Sequence, residues 1–390
     1  MITNNGMINI AFLSTYPPRE CGLATFTEDL INEIDKTGIV QSCVIAVTNG
    51  EVYDDPRVEY TMSQHQRADY FRTSRWINTH MDLLVIEHEY GIFGGECGEY
   101  ILDLARNLQI PFIITTHTVL QNPSRQQRMV LKTLGSLCTG IVTMAENSIP
   151  ILARVYGIEP DKVTVIPHGV PYLPAKPREQ LKFEHNLNGQ HVISSFGLIS
   201  PAKGLEYGIK AVAQVVPKYD NLVYLILGKT HPAVKQAMGE SYRQNLMNLA
   251  ESLGVQDNVR FIDKYLTKAE VMMYLNLSDI YMTPYLSREQ AVSGTLAYAV
   301  GCGRVIVSTP YRYAREMLGD GRGMLAEFSD ADSLASCIKY ILENPRHKTH
   351  MEMKTLKLGQ TMTWANVAGR YIQLFINIVK PSRRTVVQVG

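Results

Sequence analysis

The feature that most constrains the fold of this chain is a recurrence. Short apolar runs of strand type, at 8–14, 43–47, 83–86, 112–115 and 140–143, are followed by segments whose apolar residues fall at helical spacing, such as Phe26, Leu30 and Ile34. A strand that is apolar at nearly every position is covered on both faces, and a helix between two such strands is a crossover. The alternation therefore predicts parallel strands with helices on both sides of the sheet. A second series begins at 192–196 and continues through a helix at 204–216, a strand at 222–227, a long helix at about 233–253, and strands at 259–262 and 282–285. Two successive βα arrays are expected, and 390 residues exceed what one typical core organises. The proline- and charge-rich run 171–189 shows neither period and is the expected linker. The resulting division is a first domain at 1–172, a linker at 173–190, a second domain at 191–361, and a last helix at 362–379 with Val367, Tyr371 and Phe375 on one face.

Charge narrows the function classes. The 38 basic and 37 acidic residues give a net charge of +1, which argues against a general binder of nucleic acid or of a membrane surface. No stretch reaches the roughly 18–20 apolar residues of a membrane span. The six cysteines are scattered, without a CxxC pair or metal-like spacing, and read as reduced thiols of a cytoplasmic protein. No cofactor and no metal site is expected, and Asp330 and Asp332 read as the cap of an ordinary helix.

In parallel α/β sheets, ligands sit outside the carboxyl ends of the strands, so the loops at those ends are where chemistry is sought. Several are rich in it: 16–22 after the first strand, Glu87, His88 and Glu89 after another, and His117 after the run at 112–115. The stretch 282–310 reads as strand, loop, helix and strand. Its helix opens on Ser293, Gly294 and Thr295, offering free backbone N–H groups, hydroxyls and a Cβ-free approach where the helix dipole favours negative charge. That opening reads either as an anion site or as an ordinary N-cap.

Taken in order, Pro17 to Phe26, the THT around His117, VIPHGV at 165–170, FGLISPAKG at 196–204, ILGKTHP at 226–232 and the small-residue run at 297–309 resemble the retaining family four glycosyltransferases of the GT-B fold. The resemblance spans nearly the whole chain. It implies two Rossmann-like α/β domains with parallel sheets facing across a cleft, the donor held mainly by the second and the acceptor mainly by the first. It implies that the last helix crosses back to the first domain, and that the reaction needs no metal. Carried over residue by residue, it makes Gly22 the glycine that admits the donor phosphate, His117 the contact to the donor sugar, and Lys203 the cation that neutralises the diphosphate leaving group. Glu87, His88 and Glu89 then fall in the acceptor region.

Three positions depart from the family pattern. Leu198 stands where an arginine is expected. Counting back from Cys302 and Gly303 places Gln290 and Tyr298 where the family carries two glutamates, the first for the donor sugar and the second for the nucleotide ribose. Gln290 retains hydrogen-bonding groups for sugar hydroxyls, with Glu289 beside it, whereas Tyr298 lacks a carboxylate. Arg288, Lys229, Arg312 and Arg315 lie in neighbouring loops and bring positive charge toward an anion.

The leading expectation is transfer of a hexose, of the mannose or glucose class, from a UDP- or GDP-linked donor to a sugar or glycan acceptor. The lost ribose carboxylate keeps open a phosphate-dependent disaccharide or oligosaccharide phosphorylase on the same fold. The three departures together keep open an inactive carbohydrate-binding partner.

Overall fold

A computed structural model describes residues 7–172 and 176–386 of the chain. It divides into two compact units, one of Met1–Gly169 with Trp364–Gly390 and the other of Val170–Thr363. In the first unit the strands are β1 (Ile8–Ser14), β2 (Val40–Thr48), β3 (Val58–Ser63), β4 (Leu83–His88), β5 (Phe112–Thr116), β6 (Gly140–Thr143) and β7 (Val163–Val165). They form one parallel sheet in the order β3-β2-β1-β4-β5-β6-β7. The second unit holds β8 (His191–Phe196), β9 (Leu222–Leu227), β10 (Val259–Ile262), β11 (Ile280–Thr283), β12 (Val305–Ser308) and β13 (Met324–Leu325), parallel in the order β10-β9-β8-β11-β12-β13.

Both orders reverse once, between β1 and β4 and between β8 and β11. On either side of a reversal the crossovers lead away in opposite directions, which leaves a crevice at the carboxyl ends of those two strands. The helices of each unit cover its sheet, so the middle strands are buried throughout: every residue of β4, β5, β9, β11 and β12 is inaccessible to solvent or nearly so. The last helix, Trp364–Val386, belongs to the first unit. Phe375 lies edge-on to Phe12 of β1 at 6.2 Å, and the Tyr371 hydroxyl is 3.1 Å from Thr115 Oγ1 on β5.

Two expectations from sequence are corrected. The stretch expected as a structureless linker contains the helix Arg178–Glu184 and belongs to the second unit; residues 173–175 lie outside those described. Its Leu181 and the following Leu187 are buried with Val192, Val223, Leu225 and Leu277. Lys182, which a charge-rich reading takes for a solvated cation, is buried against Asp279. The long helix expected at 233–253 is two helices, Pro232–Met238 and Ser241–Ser252, because Gly239 breaks it at φ +61°. The helix at 331–343 is capped by Asp330, whose side chain accepts from the Ser333 N–H at 2.9 Å.

Candidate functional site

In the second unit the loops at the reversal are stitched together by their backbones. Gly197, after β8, and Gly228, after β9, have φ of 127° and 137°, a region that favours glycine. A Cβ on Gly228 would lie 2.1 Å from the Gly197 carbonyl oxygen, so the two turns touch main chain to main chain. The Ile199 N–H donates to the Lys229 carbonyl at 2.8 Å and carries the contact beyond the strands. On the other side, a Cβ on Gly204 would lie 2.2 Å from the Pro284 carbonyl oxygen, and the Leu286 N–H donates to the Ala202 carbonyl at 3.0 Å. Lys203 therefore stands on a turn anchored to the exits of both β9 and β11.

Its ammonium donates to the Tyr285 hydroxyl at 2.7 Å and lies 3.9 Å from that ring's centroid. The Tyr285 hydroxyl is in turn 2.8 Å from Thr295 Oγ1, which is 3.1 Å from Ser293 Oγ. Ser293 caps the helix Gly294–Gly301, its hydroxyl oxygen accepting the Leu296 N–H at 3.3 Å. A Cβ on Gly197 would meet Thr295 Cγ2 at 3.3 Å and Lys203 Nζ at 3.7 Å. The missing side chain of Gly197 thus leaves a small volume faced by a cation and a hydroxyl-bearing residue at a helix N-terminus. An ammonium, hydroxyls and a helix dipole of the same sign make a cradle for a phosphate.

The remaining candidates stand around that cradle. Arg288 is exposed and lies over the Phe328 ring at 4.1 Å. Glu289 is held by Arg312 and so is already partnered. Gln290 donates its side-chain amide to the Val292 carbonyl at 3.1 Å, and its main-chain carbonyl accepts the Tyr313 N–H at 3.2 Å. Lys229 is exposed beside the Gly228 turn. Tyr298, one turn along the helix from Thr295, is 9 % exposed and packs with Phe196 at 6.4 Å between ring centroids. Arg315 donates through Nε to the Pro310 carbonyl at 2.8 Å.

Two residues that sequence reasoning passed over hold this arrangement. Tyr285 reads in the sequence as the end of an apolar run, yet its hydroxyl joins Lys203 to Thr295 while its ring stacks on Tyr311 at 5.3 Å. Arg243, from the helix Ser241–Ser252, is buried and donates to the Gly228 carbonyl at 2.9 Å while pairing with Asp263 at 2.7 Å. It braces the turns after β9 and β10. Its one visible signal is a charged residue on the apolar face of a helix.

In the first unit, Gly22 is exposed at the start of the helix Gly22–Asp35, and beyond its own chain neighbours and helix backbone nothing lies within 4 Å of where its Cβ would be. His117 follows β5, and its N–H donates to the His88 carbonyl at 3.1 Å. Its Nε2 is 2.7 Å from Glu87 Oε2, and the edge of its ring meets Phe26 at 4.8 Å and 89°. Phe26 also touches His168 and Trp364, at 5.2 Å and 5.1 Å. Glu89 accepts the Thr118 hydroxyl and the Tyr90 N–H.

The placing of Glu87 and His88 in the acceptor region is corrected here. Both are fully buried at the end of β4 and have no accessible surface there to offer an acceptor. Glu89, the next residue, is partly exposed. Burial, with the neighbouring His117 charge, pushes His88 down to about 3, and burial pushes His168 down to about 4, so both are neutral near pH 7.

Comparison with known proteins gives two family matches in succession along the chain. The pattern described as "Glycosyl transferases group 1" matches residues 177–357, and that described as "Glycosyltransferase Family 4" matches residues 22–172. D-inositol 3-phosphate glycosyltransferase of Corynebacterium glutamicum (strain R) is 24 % identical over 315 residues, covering 74 % of this chain and 71 % of its own. Alpha-monoglucosyldiacylglycerol synthase of Streptococcus pneumoniae (strain ATCC BAA-255 / R6) is 22 % identical over 371 residues, covering 87 % of this chain and 79 % of its own. Among solved structures, Anabaena HepE in complex with UDP and glucose superposes with a TM-score of 0.75 at 14 % identity, covering 95 % of this chain and 100 % of its own.

Proposed function

We propose, from the premise that this chain belongs to the group 1, family four glycosyltransferases, that it moves a hexose of the mannose or glucose class from a nucleotide-sugar donor to a sugar or glycan acceptor with retention of configuration. The observation that carries this reading is the cradle at the β8–β11 reversal, where Lys203, Tyr285, Thr295 and Ser293 are joined by hydrogen bonds over the gap left by Gly197. It has the charge and the geometry for the diphosphate of such a donor. The UDP held by HepE and the glycosyl transfer in the names of the two relatives support the same choice.

In this reading Lys203 and the Ser293–Gly294–Thr295 helix start neutralise the departing diphosphate, and Gly22 is the glycine that admits the donor phosphate. Arg288 and Lys229 add positive charge at the rim. Gln290 meets sugar hydroxyls, Tyr298 lies toward the nucleotide, His117 meets the transferred sugar, and Glu89 remains for the acceptor. The bond from the anomeric carbon to the diphosphate oxygen breaks and a bond to the acceptor oxygen forms on the same face. The acceptor proton passes to the diphosphate oxygen, so no side chain acts as a nucleophile. Charge develops on the diphosphate as that bond breaks, and a pre-placed ammonium stabilises it most at that point.

One observation favours a second reading. Tyr298 brings no carboxylate to the ribose position, and an enzyme using inorganic phosphate and a sugar 1-phosphate has no ribose to hold. A thermal-shift series with UDP, GDP, ADP, their sugar conjugates, inorganic phosphate and sugar 1-phosphates separates the two. Stabilisation by one nucleoside diphosphate, growing with concentration, is expected. Stabilisation by phosphate or a sugar 1-phosphate alone would turn the assignment to a phosphorylase. Lys203→Ala is expected to abolish transfer with an unchanged melting temperature, and a fully active variant would remove Lys203 from the mechanism.

A further inference from the structure

We propose that Glu87 is a positioning residue for His117: its buried carboxylate takes the Nε2–H and so turns Nδ1 outward as the atom that meets the transferred sugar. This rests on the reading that His117 contacts that sugar. Glu87 is wholly inaccessible, so it acts through His117 or not at all. Its Oε2 lies 2.7 Å from His117 Nε2, while its Oε1 is buried with no hydrogen-bond partner. A buried carboxylate kept only for stability has both oxygens satisfied, because an unpartnered one is expensive. Here the whole of its pairing is spent on one imidazole nitrogen.

The register explains why the contact is fixed. Glu87 pairs with Thr115 across β4 and β5, and His117, two residues beyond Thr115, returns to the same face of the sheet. The His117 N–H bond to the His88 carbonyl holds that spacing, and the edge of the ring against Phe26 sets its plane. With the plane held by Phe26 and Nε2 held by Glu87, the ring has no free rotation left. Nδ1 makes no hydrogen bond to any described residue, and His117 keeps 14 % of its side chain exposed. A histidine whose one nitrogen is tied to a carboxylate presents the other in a defined orientation and tautomer, as metal-bound and triad histidines do.

The groups packed around the pair leave Glu87 facing the imidazole without a competitor. His88, the next residue on β4, and His168, across the Phe26 ring, are held neutral by burial. Tyr371 of the last helix, hydrogen-bonded to Thr115, has its hydroxyl pushed well above its ordinary range by burial and by Glu87 itself, and stays protonated.

The test uses the full-length protein labelled with ¹⁵N-histidine, the His117 signal being assigned by its loss in His117→Asn. In the wild type Nε2 is expected to carry the proton. A spectrum with the proton on Nδ1 alone would overturn the proposal. Kinetically, Glu87→Gln keeps the shape but removes the charge, and its amide can turn its NH2 toward Nε2. It is expected to lower kcat on the order of 10- to 100-fold, the loss typical when the partner of a functional histidine is removed, with KM for the donor nearly unchanged. Glu87→Asp, which keeps the carboxylate, is expected to recover part of kcat. If Glu87→Gln retains wild-type kcat while His117→Ala is inactive, the positioning role falls and the role of His117 stands. A fully active His117→Ala would remove both.

Discussion

Replacing Asp279 by asparagine would test the most concentrated set of charges in the second unit. The residue is 5 % exposed, ahead of β11, and its carboxylate accepts from Lys182 Nζ at 2.7 Å, Lys348 Nζ at 2.7 Å and the Val192 N–H at 2.9 Å, with Arg178 Nη1 at 3.5 Å. These partners come from the helix Arg178–Glu184, the helix Pro345–Thr361 and β8, so one side chain ties three elements. Asparagine would leave Lys182, itself 4 % exposed, with no counter-ion but the largely exposed Glu179 carboxylate at 3.5 Å. Breaking a buried pair from one side costs about 3–5 kcal/mol. For a unit of this size that is a fall in melting temperature of roughly 6–20 °C, at about 2–4 °C per kcal/mol.

Differential scanning calorimetry, following the second unit's transition, reads this directly. Burial alone would raise the Asp279 carboxyl, but the Lys348 and Lys182 charges outweigh it and hold the group well below the ordinary carboxylate range. A depressed carboxyl contributes stability that is present above its unfolded value, about 4, and is lost as pH falls through the folded one. Asp279→Asn should therefore flatten the acid limb of stability below about pH 4. Adding Lys182→Met should recover much of the loss, since a matched apolar side chain replaces a stranded charge. A loss under about 1 kcal/mol, the value of an exposed pair, or a double variant no more stable than the single, would refute the account.

Two further outcomes follow from the cradle. Tyr285→Phe removes the hydroxyl between Lys203 and Thr295 while keeping the ring stacked on Tyr311; a hydrogen bond to a charged group is worth about 1.5–3 kcal/mol, so steady-state transfer should fall roughly 10- to 100-fold in kcat/KM, and unchanged kinetics would show that Lys203 needs no such support. Gly228→Ala puts a Cβ 2.1 Å from the Gly197 carbonyl at a φ of 137°, and urea unfolding should show a loss of roughly 3 kcal/mol or more, at the upper end of single substitutions.

The strands were legible because their signal is local: an apolar run such as 83–86 or 222–227 declares a covered strand without reference to anything distant, and the loops after such strands are where a parallel sheet admits ligands. That reasoning singled out His117 and the Ser293 helix start as candidates, while Lys203 came from the resemblance to the family pattern. It missed what depends on pairing across the chain. Glu87 follows an apolar run and reads as a loop residue open to an acceptor; only the β4–β5 register, with His117 thirty positions later, makes it a buried carboxylate with one partner. Tyr285 reads as the last apolar residue of a strand because its hydroxyl acquires meaning only from Lys203, 82 positions earlier. In the helix Arg178–Glu184 the charges outnumber the leucines, and composition argues for solvent until Asp279, 97 positions beyond Lys182, supplies the counter-ion. In each case the side chain departs from its local pattern at the point where a distant group compensates it. A polar residue adjoining an apolar run in a parallel α/β chain is therefore to be read together with the ends of the neighbouring strands, since those are the groups the register can bring to it.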